Sequence, residues 1–415
     1  MLIIAALLAC NGDNPPADDS TSATEGPTWY ADVEPLVYEK CSACHNEQGV
    51  GTGDLTDAEV AQSYASTMAV WVEQGEMPLP AADPSCRPYV AHERMNLSEE
   101  EKQLFTDWAE AGAPLGDEAD RAEGLSIPVT TLQDTDTTVS MTHAHPLELA
   151  EDGNEYYCQV VENPFTETTY ITGIDVELGV PEVVHHIVFA IDMGGDAGIE
   201  YGTDGTQQEF QCRDPVVESD WLLLHAWTPG MEPVEFPDGQ GLKVEPGQQL
   251  VMQMHYFGDP ANPPTDLSSY KLRTTDTIER PVEMAAIGPT NFIIEAGDAE
   301  ATASDGLRNN FGVDFEILGA FPHMHLLGSH FSSWIIKDDG SEECVLDGEY
   351  DFDHQMTYMF EEPALFEDGD RLRFQCTWDN TADNPDQYND PPQDVTYGEG
   401  TNEEMCFLLF YYSIL

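Results

Sequence analysis

The sequence predicts a small helical unit followed by two all-β antiparallel sandwiches. Three observations predict it. Residues 28–117 carry apolar residues at helical spacing, with capping signals at their ends. From about residue 136, short β-branched and aromatic runs alternate with Gly, Pro and Asp clusters. The polar, acidic stretch 118–135 between them reads as a linker. At roughly 150 residues per domain, a chain of 415 residues suits about three domains.

In chain order, Met1 to Ala9 are apolar and uncharged and lead into Leu7-Leu8-Ala9-Cys10. This resembles a bacterial lipobox, which implies lipidation at Cys10 and export. The run is too short to span a bilayer, which needs roughly 20 apolar residues. It is also short for a signal peptide and no Lys or Arg precedes it, as expected if the natural start lies further upstream. Residues 11–27, rich in Asp, Pro, Ser, Thr and Gly, read as a flexible tether, so 1–27 is leader and tether. Trp29 to Lys40 is expected to be helical and to lead into Cys41. Ser98 with Glu101 forms a capping box ahead of Leu104, Phe105, Trp108 and Ala111, and Gly112-Ala113-Pro114 stops that helix.

The β region is exemplified by Tyr170 to Val176, Leu250 to Tyr256 and Arg371 to Cys376. A junction at 276–285 divides it into sandwiches at 136–280 and 281–415. There are 14 Lys+Arg against 79 Asp+Glu, a formal net charge of −65. Such a surface excludes nucleic acid and anionic membrane as partners, since both need basic residues; membrane association is left to the lipid anchor. It also suits a heavily hydrated surface exposed to high salt.

Cys41-Ser42-Ala43-Cys44-His45 is C-x-x-C-H, the c-type haem attachment motif. Two thiols on one helical turn add to the vinyl groups, and the adjacent His45 reaches the iron. A redox C-x-x-C would want a βαβ context, which is missing from the pattern. Met77, in Gly75-Glu76-Met77-Pro78, is the expected second axial ligand, with Met68 and Met95 as fallbacks. Residues 28–117 resemble a small bacterial cytochrome c domain, whose axial Met commonly sits in a Met-Pro turn. His92 could lie near the haem, though nothing requires it.

The β region holds His185-His186, His255, His323-Met324-His325 and Met405. Residues two apart on a strand share a face, so His323 and His325 can grip one ion. His185 and His186 cannot both do so from a regular strand; a bulge is needed, or only one of them ligates. Met405 offers a soft sulfur that favours Cu(I). Each residue taken singly reads as an ordinary structural side chain; His143, His145, His330 and His354 keep that reading, and His225 is read either that way or as a support behind a ligand.

Together these segments resemble the copper type II, ascorbate-dependent monooxygenases. Over residues 136–415 the likeness is carried by Tyr156-Tyr157-Cys158, His185-His186, Gln253-Met254-His255-Tyr256, His323-Met324-His325-Leu326-Leu327-Gly328 and Glu404-Met405-Cys406. The resemblance implies two jelly-roll-like domains and two copper ions facing each other across a solvent-filled cleft. His185, His186 and His255 would hold the electron-transfer copper. His323, His325 and Met405 would hold the catalytic, O2-binding copper. It implies disulfides Cys376–Cys406 and Cys158–Cys212, which leave Cys86 and Cys344 for each other. It also implies O2, a small organic substrate and an ascorbate-like reductant or redox protein as partners.

Two departures shape the expectation. Phe321 stands where the peptide-amidating branch places an Arg for the substrate carboxylate, and Phe407 to Phe410 replace polar substrate-binding residues. An apolar wall beside the second copper is therefore expected. The fused haem unit is expected to feed electrons to the His185/His186/His255 copper. The overall expectation is an exported, periplasmic or cell-surface copper monooxygenase with covalent haem c. A non-catalytic haem and copper electron-transfer or copper-binding protein on the same fold is the alternative.

Overall fold

The computed structural model describes residues 26–415 apart from 48, 50, 151–152, 196–208, 212–220, 353, 399 and 401. Cys10, the tether up to residue 25 and Cys212 lie outside the described residues.

The N-terminal part is helical. A π-helical turn, Trp29–Val33, runs directly into the helix Glu34–Lys40. Helices Ala58–Gln74, His92–Met95 and Glu99–Glu110 follow. The capping box forms: the Ser98 N–H donates to Glu101 Oε2 (2.7 Å), and the Glu101 N–H to Ser98 Oγ (3.3 Å). Trp29, Val33, Val37, Phe105 and Trp108 are fully buried in a core of their own, with the two indoles 5.5 Å apart.

The remainder is β-sheet. One nine-stranded sheet has a main path Thr137–Ser140, Ser269–Thr275, Thr169–Glu177, Gln240–Val244, Arg280–Ile287, Phe407–Ile414, Phe315–His323, Tyr358–Phe366. A five-stranded sheet runs Glu209–Gln211, Asn154–Val161, Gln249–Phe257, Val184–Asp192, Trp221–Trp227. A four-stranded sheet runs Ala301–Arg308, Arg371–Trp378, Gly328–Ile336, Glu342–Glu349. The five- and four-stranded sheets cover different stretches of the long sheet, and one large apolar core runs between the layers.

Two features differ from the purely antiparallel expectation. Most of the 276–285 junction is strand, Arg280–Ile287. That strand pairs in parallel with Gln240–Val244, as Arg280↔Gln240 and Val282↔Leu242, while pairing antiparallel with Phe407–Ile414. The first and last strand groups thus share one hydrogen-bonded ladder.

The helical unit is tied to the sheets. Ala82 bridges Gly348, and Tyr89 bridges Phe360. A Cβ on Gly348 would sit 2.7 Å from Ala82 Cα, so only glycine permits that approach. Cys86–Cys344 forms a disulfide at a Cα separation of 5.3 Å, and Arg87 pairs with Glu343. Arg94 pairs with Glu232. Cys376–Cys406 is the second described disulfide, and Cys158 is also disulfide-bonded. These bridges suit an oxidising, extracytosolic compartment. No helix among the described residues is long and apolar enough to cross a membrane.

Candidate metal centre and cavity

His186 and His255 face each other in register on neighbouring antiparallel strands. Immediately beyond that pair the register slips, so that Tyr256 opposes Val184 and His185 is left as the extra residue. This bulge turns His185 onto the same side as its neighbour. The ligand nitrogens of His185, His186 and His255 consequently lie within 4.8 Å of one another. The Nδ1 atoms of His185 and His186 are 3.3 Å apart.

His255 is buried and stacks on Tyr156 at 4.1 Å. Its Nε2–H donates to Asn154 Oδ1 (2.8 Å), which fixes the tautomer and leaves Nδ1 with the lone pair. That Nδ1 is buried with no hydrogen-bond partner. An orphaned, lone-pair nitrogen beside two more imidazoles suits a cation. Burial, with His185 second, lowers the His255 pKa to about 2. Burial and the surrounding imidazoles hold His186 well below the usual imidazole range. Neutral rings are the ligating form.

The second set differs from the strand-face expectation. His323 ends the strand Phe315–His323, and His325 lies just past it in the turn. Their rings are nevertheless 5.2 Å apart. His323 Nδ1–H donates to Gln355 Oε1 (2.7 Å), and His325 Nδ1–H to the Glu403 carbonyl (3.1 Å). Both Nε2 atoms therefore carry lone pairs. Burial lowers both pKa values, that of His325 to about 3. Met405, buried just ahead of the last strand, lines the same cavity. If this set holds a metal ion, replacing Gln355 with Leu should weaken its binding about 10–100-fold while sparing the first set, as read by chelator competition.

Glu404, fully buried, organises this corner. Its Oε2 accepts from the His325 N–H (3.0 Å) and Trp378 Nε1–H (2.8 Å), and its Oε1 from the Leu327 N–H (2.7 Å). Burial pushes its pKa up to about 8, against the pull of those donors. Cys376–Cys406 pins the residue after Met405.

Both sets meet a cavity of about 390 Å³ between the five-stranded sheet and the Phe407–Ile414 end of the long sheet. His186, His323, His325 and Met405 line it, with Phe321, Phe407 and Leu409 as the expected apolar wall. Among the described residues no Asp, Glu, Lys or Arg lines it, in a chain of 79 acidic residues. Phe352 was not anticipated: its ring lies 5.4 Å from that of His185 and 6.2 Å from that of His325, so an aromatic side chain occupies part of the space between the sets.

In the helical unit, the Cys44 and His45 N–H groups both donate to the Cys41 carbonyl, which places both thiols and the imidazole on one turn. Cys41 and Cys44 are free thiols, and burial raises both pKa values, that of Cys41 to about 12. A reactive redox pair needs the opposite shift. His45 Nδ1–H donates to the Thr52 carbonyl (3.0 Å), leaving Nε2 as the donor atom. Met77 is half-buried on the loop after helix Ala58–Gln74, its N–H bound to the Trp71 carbonyl (3.2 Å). Met68 packs into the helical core and Met95 against the sheet core.

His225, His145 and His354 are buried structural residues. His145 pairs with Glu155 and stacks on Tyr157 at 3.5 Å. His225 Nδ1 lies 3.4 Å from the Tyr270 hydroxyl. Asn154, Phe352 and Gln355 carried no sequence signal, because each meets its histidine only through the folded register.

No curated protein matches the chain. Among solved structures, the major capsid protein P2 from bacteriophage PM2 aligns at 12% identity and a TM-score of 0.28, covering 67% of this chain and 97% of that one. The broad bean stain virus structure aligns at 10% identity and a TM-score of 0.20, covering 70% and 93%. Likeness at that level carries no argument. Residues 299–415, the part that contributes His323, His325 and Met405, match the family model described as copper type II ascorbate-dependent monooxygenase, C-terminal domain, and this supports a copper-dependent oxidoreductase of that family.

Proposed function

We propose that the chain is a copper monooxygenase that hydroxylates a C–H bond of a small, uncharged, largely apolar molecule with O2. In this reading 28–117 is a haem c unit, 136–280 the first copper sandwich and 281–415 the second. His185, His186 and His255 hold one copper; His323, His325 and Met405 hold the other. Cys41 and Cys44 attach the haem, with His45 and Met77 as axial ligands. The protein is exported and lipid-anchored at Cys10, and a reductant or redox protein supplies electrons.

One observation carries the reading: a three-imidazole set and a two-imidazole set with a nearby thioether meet one uncharged cavity. Bound copper would supply one-electron chemistry and an open position for O2. The chain's own groups do the rest. Asn154, Gln355 and the Glu403 carbonyl fix the tautomers that turn lone pairs inward. Glu404 holds the His325 turn beside Met405. Phe321, Phe407 and Leu409 exclude water and present the C–H bond to the second set.

Metal analysis after expression with haem-maturation machinery tests this. One iron and two coppers per chain are expected, with His255→Ala and His323→Ala each losing one copper and keeping the iron. O2 uptake should be coupled to a hydroxylated product from a neutral substrate. A chain without stoichiometric copper would end the monooxygenase reading.

A further inference from the structure

Resting on the proposal that the cavity takes a small, uncharged, largely apolar molecule, we infer that Gln253 determines which one. The substrate carries one uncharged hydrogen-bonding group, a carbonyl or a hydroxyl, and the Gln253 carboxamide receives it on the five-stranded-sheet side of the cavity. Phe321, Phe407 and Leu409 take the apolar remainder.

Strand parity aims this side chain. Gln253 lies two residues before His255 on the central strand of the five-stranded sheet, so both point to one face. It pairs with Val188 on one neighbouring strand and with Cys158 on the other. One step further along the same face, Val251 and Ala190 pack with Cys158 and Trp221 in a small apolar cluster. In the other direction stands the His255 ring, whose Nε2–H is already held by Asn154 (2.8 Å). The sheet therefore offers the carboxamide no partner, and it opens on the cavity.

The other aliphatic polar side chains that line the cavity are committed. Gln355 accepts from His323 (2.7 Å), and its Nε2–H donates to the Phe352 carbonyl (2.9 Å). The Thr228 hydroxyl donates to the Gln355 carbonyl. Gln253 is only 3% exposed, yet its side chain makes no hydrogen bond among the described residues.

A carboxamide both donates and accepts. Set alone among apolar walls, it gives a carbonyl or hydroxyl a bond that a hydrocarbon of the same shape cannot make. A carboxylate or an ammonium would find no opposite charge there, since no Asp, Glu, Lys or Arg lines the cavity among the described residues. Gln253 thus selects a neutral, singly polar molecule over both a pure hydrocarbon and an ion.

The test uses the full chain at matched metal content and reads binding, not turnover. Acetophenone and ethylbenzene are the probes, close in shape and differing by one carbonyl. Dissociation constants come from equilibrium dialysis, and urea midpoints report folding. Gln253→Leu should weaken acetophenone binding roughly 3–10-fold while ethylbenzene binds as well or better and the midpoint does not fall. Gln253→Met, unbranched and also apolar, should repeat that pattern. An equal change for both probes, unchanged acetophenone binding, or a lowered midpoint in both variants would make Gln253 a structural residue and overturn this role. Failure of both probes to bind the unmodified chain would instead overturn the apolar-substrate reading on which the role rests.

Discussion

Replacing Glu404 with Ala is expected to destabilise the chain by about 3–5 kcal/mol and to strip copper from the second set. The substitution leaves the backbone N–H groups of His325 and Leu327 and the Trp378 indole N–H buried without their acceptor. Each buried donor left unmade costs about 1–3 kcal/mol. The effect is also positional. The carboxyl group fastens the turn carrying His325 to the residue preceding Met405, so its loss frees two of the three proposed ligands at once. Denaturant unfolding and copper counting measure the two effects. The first set should keep its copper, because its supports, Asn154 and the bulge at His255, lie in another sheet. An unchanged unfolding midpoint would contradict the account.

Acid should weaken the copper-free chain well before its exposed carboxylates titrate. Burial lowers the pKa of His255 to about 2, of His225 and His325 to about 3, and of His354 to about 4. In the unfolded chain each returns to about 6.5. As pH falls below that value, the unfolded state binds protons that the folded state refuses, so stability drains toward acid. The contribution is complete above about pH 6.5 and shrinks by about 1.4 kcal/mol per residue for each pH unit below it. Four such residues cost about 5 kcal/mol by pH 5.5, and Glu404, whose burial raises its pKa to about 8, works in the opposite sense and returns about 2–3 kcal/mol of it. Urea midpoints at pH 7.5 and 5.5, taken with a chelator present, should fall steeply. A flat profile would mean that these rings are hydrated in the folded state. Copper binding should steepen the loss, because protons and metal compete for the same nitrogens.

The helical and β halves were legible in the sequence because both rest on local pattern. The Ser98 capping box and the Leu250 to Tyr256 run are each read within a few residues, and each forms the expected element. The Cys376–Cys406 bridge and the pairing left for Cys86 and Cys344 also form. The adjacent histidines were ambiguous because their directions depend on a slip against the His255 strand, which no local pattern encodes. Asn154 lies 101 residues from His255, and Gln355 lies 32 from His323. Side chains that orient a ligand across such separations are chosen by register. The parallel pairing at Arg280 was missed for the same reason: a strand-junction-strand pattern gives no sign of which edge the chain will join.

That pairing bears on where the protein can be divided. The strand Arg280–Ile287 lies upstream of the 299–415 segment, yet it forms a full ladder with Phe407–Ile414 on one side and joins Gln240–Val244 on the other. A fragment cut at residue 299 would leave Phe407–Ile414, the strand that follows Met405, with one bare edge, a template for self-association. The chain is modular in its sequence blocks but not in its hydrogen bonds. Gene fusions or truncations that treat the second sandwich as a portable cassette must carry residues 280–287 with it.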